Sequence, residues 1–209
     1  APSPDNPSGG GGTQPAPAPL PPGAVRVAGQ TLNDAGLITG MGETNLSVSN
    51  GLSNAGRIDV ATLNVVGPQF VNSQTVQAQT SAITVNQFSN SGTVLTGSAQ
   101  TIKADGVLNQ SGRIISSGSL SIEAGALDNT QGRLLAGDTL RIEGSTATLS
   151  INNAQGEIGE INSGVSTTII VAALSGDGVV SSAGNLDIRL TETFVNEASG
   201  KLQAGGSLT

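Results

Sequence analysis

Residues 107–125 read VLNQSGRIISSGSLSIEAG and residues 126–144 read ALDNTQGRLLAGDTLRIEG. Each stretch runs from an apolar residue through an Asn and a Gly to a second apolar residue, then a glycine-containing turn and an x-Leu-x-Ile segment. Working outward, the apolar position after the first turn recurs at Ile38, Ile58, Val76, Val94, Ile114, Leu134, Ile158, Val180 and Leu202. The spacings are 20, 18, 18, 20, 20, 24, 22 and 22 residues. A period near 20 residues sustained over this length is the signature of a repeat architecture. Gly36, Gly56, Gly92, Gly112, Gly132, Gly156, Gly178 and Gly200 precede these positions by two residues, with Gln74 in the third copy. An Asn lies just upstream at Asn33, Asn54, Asn72, Asn90, Asn109, Asn129, Asn153 and Asn196.

Within each copy the pattern alternates, as in Leu120-Ser-Ile122, Leu140-Arg-Ile142 and Leu186-Asp-Ile188. Period two places alternate side chains on opposite faces of a strand, and the density of Gly, Asn and β-branched residues disfavours helix. The predicted strands are short, about three to five residues. One copy cannot enclose a core; coiling the copies so that each pairs in parallel with the next at about 4.8 Å stacks the inward side chains. The chain is therefore predicted to be all-β, a parallel β-helix of nine coils, roughly 40 Å long.

Stacking sets specific pairs. Phe70 and Phe88 lie one 18-residue period apart and share an inner face. Asn54, Asn72 and Asn90, continued by Asn109, Asn129 and Asn153, are expected to form a turn ladder in which each amide bonds to backbone or to the next rung. The glycine after each Asn is expected to supply a positive φ. On the outside, Arg113 stacks on Arg133, and Lys103 on Glu123 and Glu143, contacts worth well under about 1 kcal/mol each.

Composition narrows the chemistry. The 209 residues include no Cys, His, Trp or Tyr, and 8 basic residues face 15 acidic ones for a net charge of −7. Disulfides, thiol catalysis, histidine acid–base chemistry and zinc sites with those ligands are excluded. The acidic balance argues against nucleic acid as a partner, and no apolar run approaches the roughly 20 residues needed for membrane insertion. Residues 1–24, APSPDNPSGGGGTQPAPAPLPPGA, hold eight of the nine prolines and a four-glycine run. They read as a disordered linker preceding the repeat segment 25–209.

The two quoted copies resemble the repeat shaft of the filamentous haemagglutinin family, large bacterial exoproteins exported by two-partner secretion that include the stalks of contact-dependent growth-inhibition toxins. The shared motif, G-x-L-x-N-x-x-G-x-I-x-x-x-G-x-L-x-I, is carried by Leu108-Asn109-Gln110-Ser111-Gly112-Arg113-Ile114 with Gly118-Ser119-Leu120-Ser121-Ile122. It recurs as Asn129-Thr130-Gln131-Gly132-Arg133-Leu134 with Leu140-Arg141-Ile142. The resemblance covers residues 30–209 and is strongest over 88–143. It implies a right-handed β-helix at the bacterial cell surface or released from it, an outer-membrane transporter as partner of the parent protein, and a role in attachment, biofilm formation or toxin presentation. The asparagine-proline motifs of the family's secretion domain are missing from the repeat region, so the resemblance implies an internal segment.

Parallel β-helices also carry polysaccharide-degrading enzymes. Paired carboxylates roughly 5–9 Å apart would be required for glycoside hydrolysis. Asp177 with Asp187, or Glu157 with Glu160, are the candidates, but the repeat region lacks the Trp and Tyr platforms that grip sugar rings. Asp105, Asp128, Asp138 and Asp177 lie at turns without calcium-loop spacing, so no metal and no cofactor is expected. The expectation is a non-catalytic segment of a surface-displayed adhesin, a rigid rod whose partner is a host-cell or bacterial receptor or glycan. The repeat loosens after Gly144, and insertions in solenoids loop out from one face. A candidate binding surface is therefore placed around Glu157 to Ser166 and Asp177 to Asn185, with Glu157, Glu160, Asn162, Asp177 and Asn185 as its residues.

Overall fold

A computed structural model describes residues 21–145, 148–162 and 166–209. The linker expected over 1–24 lies outside the described residues up to residue 20, and the first strand begins at Val25. Among the described residues there is no helix; every strand pairs in parallel, and the coils stack into a β-solenoid of about nine turns with a period near 20 residues.

The early coils differ from the expectation of short segments. Strands β1 (Val25–Asp34), β2 (Leu37–Asn54), β3 (Arg57–Asn72), β4 (Thr75–Asn90) and β5 (Thr93–Leu108) run as far as 18 residues because pairing continues around the corners of the coil. From the sixth coil the corners break this continuity. That coil holds β6 (Arg113–Ser116) and β7 (Ser119–Asp128), and the next holds β8 (Arg133–Ala136), β9 (Leu140–Gly144) and β10 (Ser150–Asn152). Then follow β11 (Glu157–Glu160) with β12 (Ser166–Gly176), β13 (Val179–Ser182) with β14 (Asn185–Asn196), and β15 (Lys201–Ala204).

Each coil has three faces. The first carries the aliphatic series read from the sequence: Ile58 pairs with Val76, Val76 with Val94, Val94 with Ile114, Ile114 with Leu134 and Leu134 with Ile158, all fully buried. The second stacks Leu46, Val65, Ile83, Ile102, Ile122 and Ile142 in one inward column. The third holds Leu52, Phe70, Phe88, Val107 and Leu127. Phe70 and Phe88 meet as expected, with ring centroids 5.3 Å apart and planes tilted by 31°. Burial of these columns removes apolar surface from water between coils, the dominant favourable term in a solenoid whose repeats cannot fold alone.

The uneven spacing maps onto two corners. Ala124 pairs with Gly144 while Ala126 pairs with Ser150, so the 24-residue coil gains its extra residues between β9 and β10. A second insertion separates Glu160 from Thr167, which pairs with Leu140 and Leu186. It includes residues 163–165 of the stretch Glu157 to Ser166, and those three lie outside the described residues.

Candidate functional site

The asparagine ladder is continuous over six coils. Asn54 Nδ2 donates to Asn72 Oδ1 at 2.7 Å, and the same bond links Asn72 to Asn90, Asn90 to Asn109 and Asn109 to Asn129 at 2.7 Å, and Asn129 to Asn153 at 2.8 Å. The second hydrogen of each amide reaches a backbone carbonyl of the following coil, for example Arg133 O from Asn109 and Val179 O from Asn153. All six side chains are at most 2% exposed. A buried amide is stable only when its donors and acceptor are paired, and here each rung satisfies the next. Two Asn of the upstream series fall outside the ladder. Asn33 aligns with Ser53, so Asp34 takes the ladder position, and Gly176 follows Asn153 in register before Asn196.

The glycines of this turn serve a purpose other than the one expected. Gly56, Gly92, Gly112, Gly132 and Gly156 do not have positive φ; the left-handed residues are Ser111, Gln131 and Gln155, at φ 58°, 56° and 54°. What the glycines provide is space. A Cβ at Gly132 would press on Asn109 O and on the ladder amides of Asn109 and Asn129, and one at Gly112 on Asn90 O. The four-residue turn of the later coils thus assigns the left-handed conformation to the residue before the glycine.

Charged residues sit outside and pair along or between rungs. Lys103 lies 2.7 Å from Glu123, whose hydrogen bond and charge raise the Lys103 pKa. Arg189 binds Asp187 at 2.7 Å, and Arg133 Nε reaches Glu157 at 2.6 Å. Arg113 stacks on Arg133 in register and has no ion-pair partner among the described residues.

The five residues of the candidate binding surface are all engaged by neighbouring coils. Glu157 pairs with Arg133. Glu160 falls in register with Ala136, in an inward column of small residues. Its carboxylate accepts from Thr167 Oγ1 at 2.9 Å, Ser182 Oγ at 3.0 Å and the Ala183 amide at 3.2 Å. Asn162 donates to Gly137 O, Asp177 accepts from the Gln155 amide and Ser199 Oγ, and Asn185 Oδ1 accepts from the Ser207 amide. They gather at two corners: Asp177 and Glu157 beside the asparagine turn, Glu160, Asn162 and Asn185 at the far end of β11. Asp187, the other suggested half of an acid pair with Asp177, is held by Arg189. Among the described residues, no three His, Cys, Asp or Glu side chains group in a way that could hold a metal ion.

A trough of about 700 Å³ runs along the first face. Its lining includes Met41, Asp59, Gln77, Gln79, Leu95 and Ile115. Arg57 pairs with Asp59 at 2.7 Å and also donates to Gln77, while Gln79 has no hydrogen-bond partner among the described residues. Beyond the trough, the Ile161 amide bonds to Ala136 O. No sequence argument singled out these residues. The signal was present in the outward position after each member of the aliphatic series, which reads Thr39, Asp59, Gln77, Leu95, Ile115.

No family model, no curated protein and no solved structure matches the chain. Among the described residues no helix is long and apolar enough to cross a membrane.

Proposed function

We propose that this chain is a non-catalytic, rigid-rod segment of a filamentous adhesin displayed on or released from the bacterial surface, exported with an outer-membrane transporter partner and binding a receptor or glycan on a host or bacterial cell. The observation that carries this reading is the unbroken ladder from Asn54 to Asn153, flanked by side-chain columns that run the length of the rod. A solenoid pairs each repeat only with its neighbours, so its stiffness rests on inter-coil contacts of this kind. Glu157, Glu160 and Asp177 of the irregular coils tie neighbouring coils together, which favours a mechanical role over catalysis for that region. The repeat motif around Asn109 and Asn129 supports the family assignment and, with it, extracellular location.

The test is flow cytometry of the fluorescently labelled, monodisperse chain on epithelial cells, erythrocytes and bacteria, with a rod of consensus coils as control. Saturable binding above the control is the expected result. Binding no stronger than the control, with the β circular dichroism signal intact, overturns attachment and leaves a spacer.

A further inference from the structure

We propose that Asn50 is a site of spontaneous covalent modification, the first amide in the rod to cyclise onto its own backbone and convert to aspartate or isoaspartate. The chain has 16 asparagines, and Asn50 alone is followed by glycine. Cyclisation needs the backbone nitrogen of the following residue to approach the side-chain carbonyl carbon, and a Cβ on that residue obstructs the approach; glycine has none.

Three structural observations converge on the same residue. Asn50 is exposed, and its side chain has no hydrogen-bond partner among the described residues. Its backbone lies where pairing slips toward both neighbouring coils. The β1 register jumps from Gly29–Val48 to Thr31–Gly51, and the β3 register jumps from Ser47–Val66 to Leu52–Phe70, so Ser49 and Asn50 have no rung partner on either side. By contrast, the ladder asparagines are buried, bonded through both amide atoms and followed by Ala, Ser, Gln or Thr.

In the reaction, the deprotonated Gly51 nitrogen attacks Asn50 Cγ. The new C–N bond forms as the Cγ–Nδ2 bond breaks, and the amide nitrogen leaves as ammonia after gaining a proton. One water then opens the imide at either carbonyl. The net change is water consumed, ammonia released and a carboxamide replaced by a carboxylate, which takes the chain from −7 to one unit more negative. The surrounding hollow, lined by Thr31, Asn33, Ser53 and Gln69, holds no acidic side chain to oppose the new charge.

Glycine is not required at position 51 by the fold. Its φ is not left-handed, and an added Cβ meets Gln69 at 3.7–3.8 Å, ordinary contact. Gly51→Ala is thus a variant that keeps the rod and blocks the chemistry. The full chain, Gly51→Ala and Asn50→Gln are incubated at mildly alkaline pH and followed by peptide mass spectrometry and ion-exchange chromatography. The expected result is an acidic species carrying the amide-to-acid mass change at Asn50 before any other position, lost in both variants while their circular dichroism matches the parent. Asp105–Gly106 and Asp177–Gly178 can isomerise but gain no mass, so they are distinguished from Asn50. An Asn50 amide that stays intact while the urea-unfolded chain reacts, or an earlier mass change at another asparagine, overturns the proposal.

Discussion

Asp34 and Asn54 occupy consecutive rungs of the same turn column, paired in register at the end of β1 and β2. Asp34 Oδ1 accepts the Gly36 amide just as Asn54 Oδ1 accepts the Gly56 amide. The other arm of Asn54 is Nδ2, which donates to the next rung; the other arm of Asp34 is an oxygen, Oδ2, buried and without a partner. Where Asn54 presents an N–H donor Asp34 presents only an oxygen, so the ladder begins at Asn54 and the coil below adds no rung to it.

Asp34→Asn supplies the missing donor without changing shape. It is expected to extend the ladder by one rung and to stabilise the rod by about 1 kcal/mol. Urea unfolding of the variant checks this, read as a raised midpoint at unchanged slope. A lowered midpoint would mean that the carboxylate is favoured at that position.

Asn109 lies mid-ladder, accepting from Asn90 and donating to Asn129 and Arg133 O. Asn109→Ala removes all three bonds and leaves a buried gap. It is expected to cost about 2–4 kcal/mol, since buried groups on both neighbours lose their partner. Asn54→Ala, at the ladder's first rung, interrupts one side-chain bond rather than two and is expected to cost less. Equal losses in parallel urea titrations would show that the ladder is not the cooperative unit.

The fold was legible because its determinants are local and periodic. An aliphatic residue every 18 to 24 positions and an Asn before a Gly are enough to specify coils, columns and the Asn54–Asn153 ladder. The partners of Glu160 were not legible. Alternation from the inward Ile158 puts Glu160 on the inward side, in register with Ala136, but Thr167 lies beyond an insertion and Ser182 and Ala183 belong to the next coil, where no repeat position marks them as the groups its carboxylate meets. The trough was missed for a related reason: a concavity is built by the bend of a corner across several coils, and no single repeat encodes it.

Gly132 illustrates how a correct residue can carry a wrong reason. Its expected role was conformational, whereas its φ is ordinary and the constraint is the ladder pressed against it. Gly132→Ala is expected to destabilise by about 1–3 kcal/mol, the range for overpacking of a filled site. Gly51→Ala, with open contact distances, is expected to be neutral or to stabilise by up to about 1 kcal/mol through the unfolded chain. If Gly132→Ala were as well tolerated, the turn would have room that the close carbonyl approach denies.

Asp128 provides a pH response with a definite sign. Burial alone would push its carboxyl up, but the hydrogen bonds from Thr130 Oγ1 at 2.6 Å, Gln110 Nε2 at 2.7 Å and the Thr130 amide at 3.0 Å outweigh burial and hold it below the ordinary value. A carboxyl lowered in the folded state binds its proton less readily there than in the unfolded chain. Its contribution is therefore complete above the unfolded value near 4 and is lost as pH falls through the lower folded value. Thr130→Val removes the shortest bond and is expected to move the Asp128 titration, followed by carboxyl-carbon NMR, upward, and to weaken the rod at neutral pH while leaving its stability in strong acid nearly unchanged. An unmoved titration would assign the shift to Gln110 Nε2 and the Thr130 amide instead, and adding Gln110→Ala would then be the change that moves it upward.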